Sequence, residues 1–337
     1  MAIFFLLIGL ELERELYSGE LSDYRNALLP IFAALGGVGI PALVHLGLNA
    51  GTSTQPGIGI PMATDIAFAL GVLALLGSRV PASLKVFLTA LAVMDDLAAI
   101  VVIAVFYTSE LVLPYLIAAA AVLTALLVLN RVLGVARLAP YLLGGALMWF
   151  LMFKSGVHAT IAGVLLAFAI PYSAKQDDVE SPSHRLEDLL HKPVAFAILP
   201  TFALANTGVV IPLDWSQQLA SSNSLGILLG LTLGKPIGIF TLTFAAVMLG
   251  LCRLPADLSW RHVIGAGLLG GIGFTMSIFI TNLAFNGEHA LINASKLAVL
   301  LASVLAGATG FFWLKSFGGP TPADTDANTM DLHHPHT

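Results

Sequence analysis

The sequence predicts an all-α polytopic membrane protein built on inverted three-helix repeats with two discontinuous crossing helices. Three observations lead there. Of 337 residues, 57% are hydrophobic and only 10% are charged, against about 25% charged in an ordinary soluble domain. A soluble fold of this size has too little polar surface to draw on. Lysines and arginines also gather on alternate sides of successive apolar stretches. Finally, two of those stretches, one early and one late in the chain, are interrupted by small or helix-breaking residues at matching places. The net charge of −5 and the lack of any basic cluster exclude a nucleic-acid partner. A single cysteine, Cys252, excludes an internal disulfide framework and a thiolate metal cage.

Taken in order, the chain opens on MAIFFLLIGL, ten apolar residues before the charged ELEREL. Ten helical residues cover about 15 Å, half of the hydrocarbon thickness. The stretch has neither the basic start nor the cleavage site of a signal peptide. It reads as part of a first helix, over 1–12, whose beginning is absent from this sequence. Ten apolar stretches approaching or reaching bilayer length follow, at roughly 27–48, 58–77, 84–107, 111–130, 138–153, 155–171, 193–212, 224–250, 261–285 and 290–314. With residues 11–26 inside and each span switching sides, twelve of the 15 Lys and Arg residues fall inside. Lys154 and Lys296 fall outside and Lys235 lies mid-span, which is the positive-inside pattern. The longest loop, 172–192, carries most of the inside polar surface. Residues 1–315 read as one membrane domain, and the polar stretch 316–337 reads as a disordered cytoplasmic tail. His333, His334 and His336 could bind a metal there, but nothing would hold such ligands in place, so a solvated tail is the preferred reading.

Asp65, Asp95, Asp96 and Lys235 sit inside spans. Each costs about 2.5–3.5 kcal/mol at a helix centre, so intramembrane ionisable groups are functional by default. Structural salt bridges are the competing reading, but three acids against one base leave two carboxylates without a partner. Asp95 and Asp96 point about 100° apart on one helix. One can face a water-filled cavity while the other faces a neighbouring helix, where Lys235 would be an attractive partner. Burial, mutual repulsion and a nearby ammonium act on such groups in opposite senses, so the cluster can exchange protons near neutral pH. Ionised carboxylates also suit small hard cations. One site that holds either a proton or a cation is the core of an antiporter.

The triples 27–48/58–77/84–107 and 224–250/261–285/290–314 each have a broken middle member, IGIPMATD in one and GAGLLGGIGFTMS in the other. Three spans per unit is odd, so the two copies must be inverted, with a site near the midplane. Half-helix ends there bring partial charges of both signs; Asp65 could offset the positive ends and Lys235 the negative ones. Glycines 270, 271 and 273 could also serve close packing.

The segments FFLLIGLELEREL, IPMATDIAFALGVLALLGSRVP, LKVFLTALAVMDDLAAI, FKSGVHATIAG, GKPIGI and GGIGFTMSIFI, spread to about residue 315, resemble the NhaA-type sodium/proton antiporters, which are inverted-repeat transporters. The resemblance implies an electrogenic exchanger that extrudes Na+ or Li+ and admits more protons per cycle, serving pH and sodium homeostasis. It implies no enzyme activity, no cofactor beyond the transported ions, a bacterial inner membrane with the C-terminus cytoplasmic, and homodimers in the bilayer. Residue by residue, it makes Asp96 the principal Na+ ligand, with Asp95 beside it and Lys235 the ion-pair partner of Asp95. Thr64 and Asp65 match broken-helix residues flanking the site. Glu11 and Glu15 match acids at the cytoplasmic mouth, Glu187 a region of pH response, and Gly273 a pH-sensitive position on the second broken helix. His158 lies in a matching segment, where a packing role and a pH role both stand. The sequence departs from the family in lacking the first span and the front of the second, and in Asp188, where a histidine is common.

Three rivals carry less. An intramembrane aspartyl protease needs acids facing each other from separate helices, whereas Asp95 and Asp96 are neighbours. A cation channel needs a repeated filter or rings of charge, and neither is present. A non-transporting truncated fragment is the remaining alternative.

Overall fold

In hydrocarbon a backbone must satisfy its own N–H and C=O groups, so an apolar chain of this composition resolves into helices. The computed structural model describes residues 1–19, 24–108, 111–173, 181–211 and 213–317, and excludes the side chains of 24–26. The expected tail lies outside the described residues from 318 onward. The helices are α1 (Ala2–Tyr17), α2 (Tyr24–Asn49), α3 (Ile66–Ala74), α4 (Ala82–Phe106), α5 (Leu113–Arg131), α6 (Leu138–Ser155), α7 (Ile161–Ala167) and α8 (Pro182–Pro193). They continue as α9 (Leu199–Asn206), α10 (Trp215–Leu219), α11 (Ser222–Leu229), α12 (Lys235–Met248), α13 (Trp260–Gly270), α14 (Phe274–Ala284) and α15 (His289–Phe317). π turns at Val194–Ile198 and Gly230–Gly234 join α8 to α9 and α11 to α12.

Among the described residues, eight helical segments are long and apolar enough to cross a bilayer. The α13–α14 pair, bent by 47° at its break, makes a ninth. In the stretch 155–171, expected as a span, Gly156 ends α6 in a left-handed turn at φ 84°, and beyond it the only α-helix is the seven-residue α7. Burial is inverted relative to a soluble protein. Asp95, Asp96 and Lys235 are buried, whereas Phe153, Phe196, Leu204 and Val304 are exposed. Apolar atoms face outward because the surrounding solvent is lipid.

The chain divides into two compact units. The first comprises 1–22 and 97–208. Its core gathers Leu6, Leu10, Tyr141, Met148, Leu166 and Ile170. Here α1 lies close on α7: a Cβ on Gly163 would stand 2.5 Å from the carbonyl oxygen of Ala2. The second comprises 23–96 and 209–337, and its core includes Leu29, Leu73, Leu88, Ile239, Val263 and Leu269. Its closest crossing joins α2 to α12. A Cβ on Gly36 would stand 2.0 Å from the Gly238 carbonyl oxygen, and a Cβ on Gly238 2.0 Å from that of Gly36. Small residues let two backbones meet in this way where lipid supplies little drive for helix association. A buried polar tie holds one end of this unit: His45 Nε2 meets Asn223 Oδ1 at 3.2 Å, and Asn223 Nδ2 donates to Ser295 Oγ at 2.8 Å.

Candidate ion and proton site

Two interrupted helices of the second unit cross and build the site. The first begins as a 3-10 turn over Gln55–Met62, with Pro56 and Pro61. It runs extended at Ala63 and becomes α3 after Asp65. Proline lacks the N–H that an α-helix interior needs, which favours the break. The second breaks between Gly270 and Phe274. The two breaks are bonded to each other: the Asp65 amide donates to the Ile272 carbonyl at 2.6 Å, and Ser277 Oγ donates to the Ile60 carbonyl at 2.7 Å.

Asp65 caps both half-helices. Its Oδ1 accepts from the Phe68 amide of α3 at 3.3 Å, and its Oδ2 from the Thr275 amide of α14 at 3.0 Å and from the Thr275 hydroxyl. One carboxylate thus answers the positive ends of two helix dipoles, as expected of it. The negative end of α13 is met by Thr64, whose hydroxyl oxygen lies 2.8 Å from the Gly270 carbonyl and 2.6 Å from Asp95 Oδ2. Lys235, which could have answered that end, instead donates Nζ to Asp95 Oδ2 and Thr64 Oγ1. It is the first residue after the π turn; π turns inside helices are frequent at functional sites.

Asp95 and Lys235 form a salt bridge with both side chains fully buried. Asp95 Oδ1 has no hydrogen-bond partner among the described residues. Asp96, next on α4, is also buried. The structure therefore brings Thr64, Asp95 and Lys235 into one contact cluster, with Asp65 one residue from Thr64 and Asp96 beside Asp95. A buried carboxylate with an open oxygen, next to a second carboxylate and an ammonium, can exchange a proton for a small hard cation.

A sequence profile of the family described as Na+/H+ antiporter 1 matches residues 1–314. A protein of Dechloromonas aromatica named Na(+)/H(+) antiporter NhaA is 72% identical over 317 residues, covering 94% of this chain and 82% of its own. Proteins of the same name from Cytophaga hutchinsonii and Flavobacterium psychrophilum are 60% and 58% identical, each over 94% of this chain and 80% and 81% of their own. The chain belongs to the Na+/H+ antiporter 1 family.

The contact cluster of this antiporter family member does not include the other sequence-derived positions. Gly273 is the N-cap of α14, where a Cβ would stand 2.2 Å from Ser277 Oγ. Glu11, Glu15, Glu187 and His158 belong to the first unit. There Arg14 Nη1 donates to Glu187 Oε1 at 2.6 Å, and Arg14 Nη2 lies 3.6 Å from Glu15 Oε1. Glu11 lies one turn before Glu15 on α1. His158 Nε2 meets the Tyr107 carbonyl oxygen at 3.0 Å, a bond that suits a packing role.

Sequence reasoning missed Glu13. It lies past the apolar run of α1, is buried, and accepts a hydrogen bond from Ser183 Oγ of α8 at 3.0 Å. The spacing in ELEREL held the signal: Glu11 and Glu15 share a helix face, and Glu13, two positions from each, points away from it. Burial pushes the Glu13 carboxyl up from 4.5 to about 7, against the Ser183 hydrogen bond. The folded chain thus holds an extra proton between those values, and the α1–α8 contact loses stability as pH rises through that window. Glu13→Gln is expected to flatten this slope. Hydrogen exchange of the α8 amides, corrected for intrinsic rates, should show protection that falls from acidic to neutral pH more steeply in the parent than in Glu13→Gln, where the partly buried Glu11 and the buried Glu187 still contribute. Equal slopes in both would remove Glu13 as the cause.

Proposed function

We propose that this antiporter exchanges Na+ or Li+ for protons at Asp96, with Asp95 beside it, Lys235 as the ion-pair partner of Asp95, and Thr64 contributing a hydroxyl. Family membership makes the chain a secondary active Na+/H+ antiporter, a transporter and not an enzyme. The observation that carries the site is the fully buried Asp95–Lys235 pair at the crossing of two broken helices, with one Asp95 oxygen unpaired among the described residues. Asp65 then has an electrostatic duty, holding the two helix N-termini together around the site.

Two adjacent carboxylates allow more than one proton to balance each cation, which supports electrogenic exchange. The inverted repeat pairs α2, the broken 55–74 segment and α4 with the 222–248 segment, the broken α13–α14 pair and α15. Its support is the break in both middle members and the reciprocal approach of Gly36 and Gly238. The distribution of Lys and Arg supports a cytoplasmic C-terminus. One transporter domain over 1–315, a homodimer and a bacterial inner-membrane location follow from the same family reading. In that reading Glu11, Glu15, Glu187 and Gly273 modulate the pH response.

The test uses everted vesicles from an antiporter-deficient host, energised by respiration and read with a fluorescent pH probe. Adding Na+ or Li+ should collapse the gradient for the parent and not for Asp96→Asn at equal membrane abundance. A parent that inserts correctly yet gives no cation-dependent proton movement overturns the antiport. A fully active Asp96→Asn moves the site elsewhere.

A further inference from the structure

Lys235 has a neighbour on its own helix face that the exchange chemistry does not explain. Ile239 lies four residues on, one turn along α12, and is fully buried. Two glycines from two other elements bracket it. A Cβ on Gly37 of α2 would stand 2.9 Å from Ile239 Cγ1, 3.2 Å from its Cδ1 and 3.7 Å from Asp95 Oδ1. A Cβ on Gly270, at the break of α13, would stand 3.2 Å from Ile239 Cδ1, 3.9 Å from Thr64 Oγ1 and 4.0 Å from Lys235 Cδ. Two glycines without side chains leave a notch, and the Ile239 side chain occupies it. Both walls of that notch border the ion cluster, and one borders the unpaired oxygen of Asp95.

We propose that Ile239 is a positioning residue: an apolar stopper, seated between Gly37 and Gly270, that keeps water off the Asp95 carboxylate and thereby sets how tightly the site holds a cation. The inference rests on the antiport reading above. The face of Gly37 that Ile239 packs on also borders the unpaired Asp95 oxygen, and a branched aliphatic group there offers no hydrogen bond. It lowers the local dielectric and strengthens every charge interaction within reach. A water admitted in its place would screen the carboxylate and compete for the cation. A methyl at Gly37 would press directly on Ile239 Cγ1, whereas one at Gly270 would crowd Cδ1 by a few tenths of an ångström, so Gly37 is the tighter wall of the seat.

The experiment is a volume series in the same everted vesicles, with membrane abundance measured for each variant. Ile239→Ala is expected to raise the half-saturating Na+ and Li+ concentrations by about tenfold while the maximal rate stays within about twofold, the mark of lost ground-state binding. Ile239→Val, which loses only Cδ1, should raise them by about two- to threefold. Gly37→Ala with Ile239 retained should cut the maximal rate by about tenfold or more, and Gly37→Ala/Ile239→Ala should restore most of it, since the two changes share one contact. Two results overturn the stopper. One is an Ile239 series with parental half-saturation, or with a lower maximal rate at unchanged half-saturation. The other is a double variant no better than Gly37→Ala. Should Ile239→Ala fail to insert, the half-saturation of the Val variant decides the question in the same way. Failure of the parent itself would instead count against the antiport reading.

Discussion

Lys235→Gln is expected to lower the unfolding free energy by about 3–5 kcal/mol, the usual result of stripping one partner from a buried ion pair. Asp95 and Lys235 are both fully buried, so neither charge can turn to water when the other is removed. Lys235 donates to both Asp95 Oδ2 and Thr64 Oγ1, so its loss strips two acceptors at once. Asp95→Asn/Lys235→Gln should recover much of the deficit, because two neutral amides leave no uncompensated charge. Thermal unfolding in detergent, followed by intrinsic fluorescence, separates the cases. A double variant as unstable as the single one would mean that packing, not charge, holds this crossing.

The second large effect is steric. Gly36→Ala places a methyl 2.0 Å from a backbone carbonyl oxygen, that of Gly238, and a carbonyl cannot rotate aside as a side-chain end can. The helices must part, at a cost of about 3 kcal/mol or more by the scale of overpacked cores. Gly238→Ala should match it. The double variant should cost less than the two added, since helices already spread by one methyl leave room for the second. Gly39, on the same helix, has nothing within 4 Å of the place a methyl would take. Gly39→Ala should therefore be neutral or stabilise slightly, by up to about 1 kcal/mol of helix propensity. Melting temperature and membrane yield across the three single variants test the contrast. Equal behaviour at positions 36 and 39 would deny the close crossing.

These two results bear on mechanism because both protect the same place. The Gly36–Gly238 approach brings α2 against α12 close to Lys235, and Gly37, the next residue of α2, borders Asp95 Oδ1. The closeness of the helices and the seat of Ile239 next to the ion cluster are thus consequences of the same pair of adjacent glycines.

The sequence by itself determined the class of molecule and which of its apolar segments carry charge, and it singled out the small set of residues proposed for the site. Those properties reside in composition and local pattern. Too few charges exist to cover a soluble surface, a charge in hydrocarbon demands a reason, and proline or glycine within an apolar run interrupts a helix wherever it sits. Motif likeness added roles for Asp95, Asp96 and Lys235. Tertiary structure alone decided which oxygen of Asp95 meets Lys235, that Thr64 rather than Lys235 answers the Gly270 carbonyl, and that Asp65 caps two helices. It alone seated Ile239 in its notch and buried Glu13 against Ser183. The physical reason is distance along the chain: these contacts join residues 140, 206, 210 and 170 positions apart. Helical periodicity tells which way a side chain leaves its own axis, but which neighbour it meets is decided only when the helices pack.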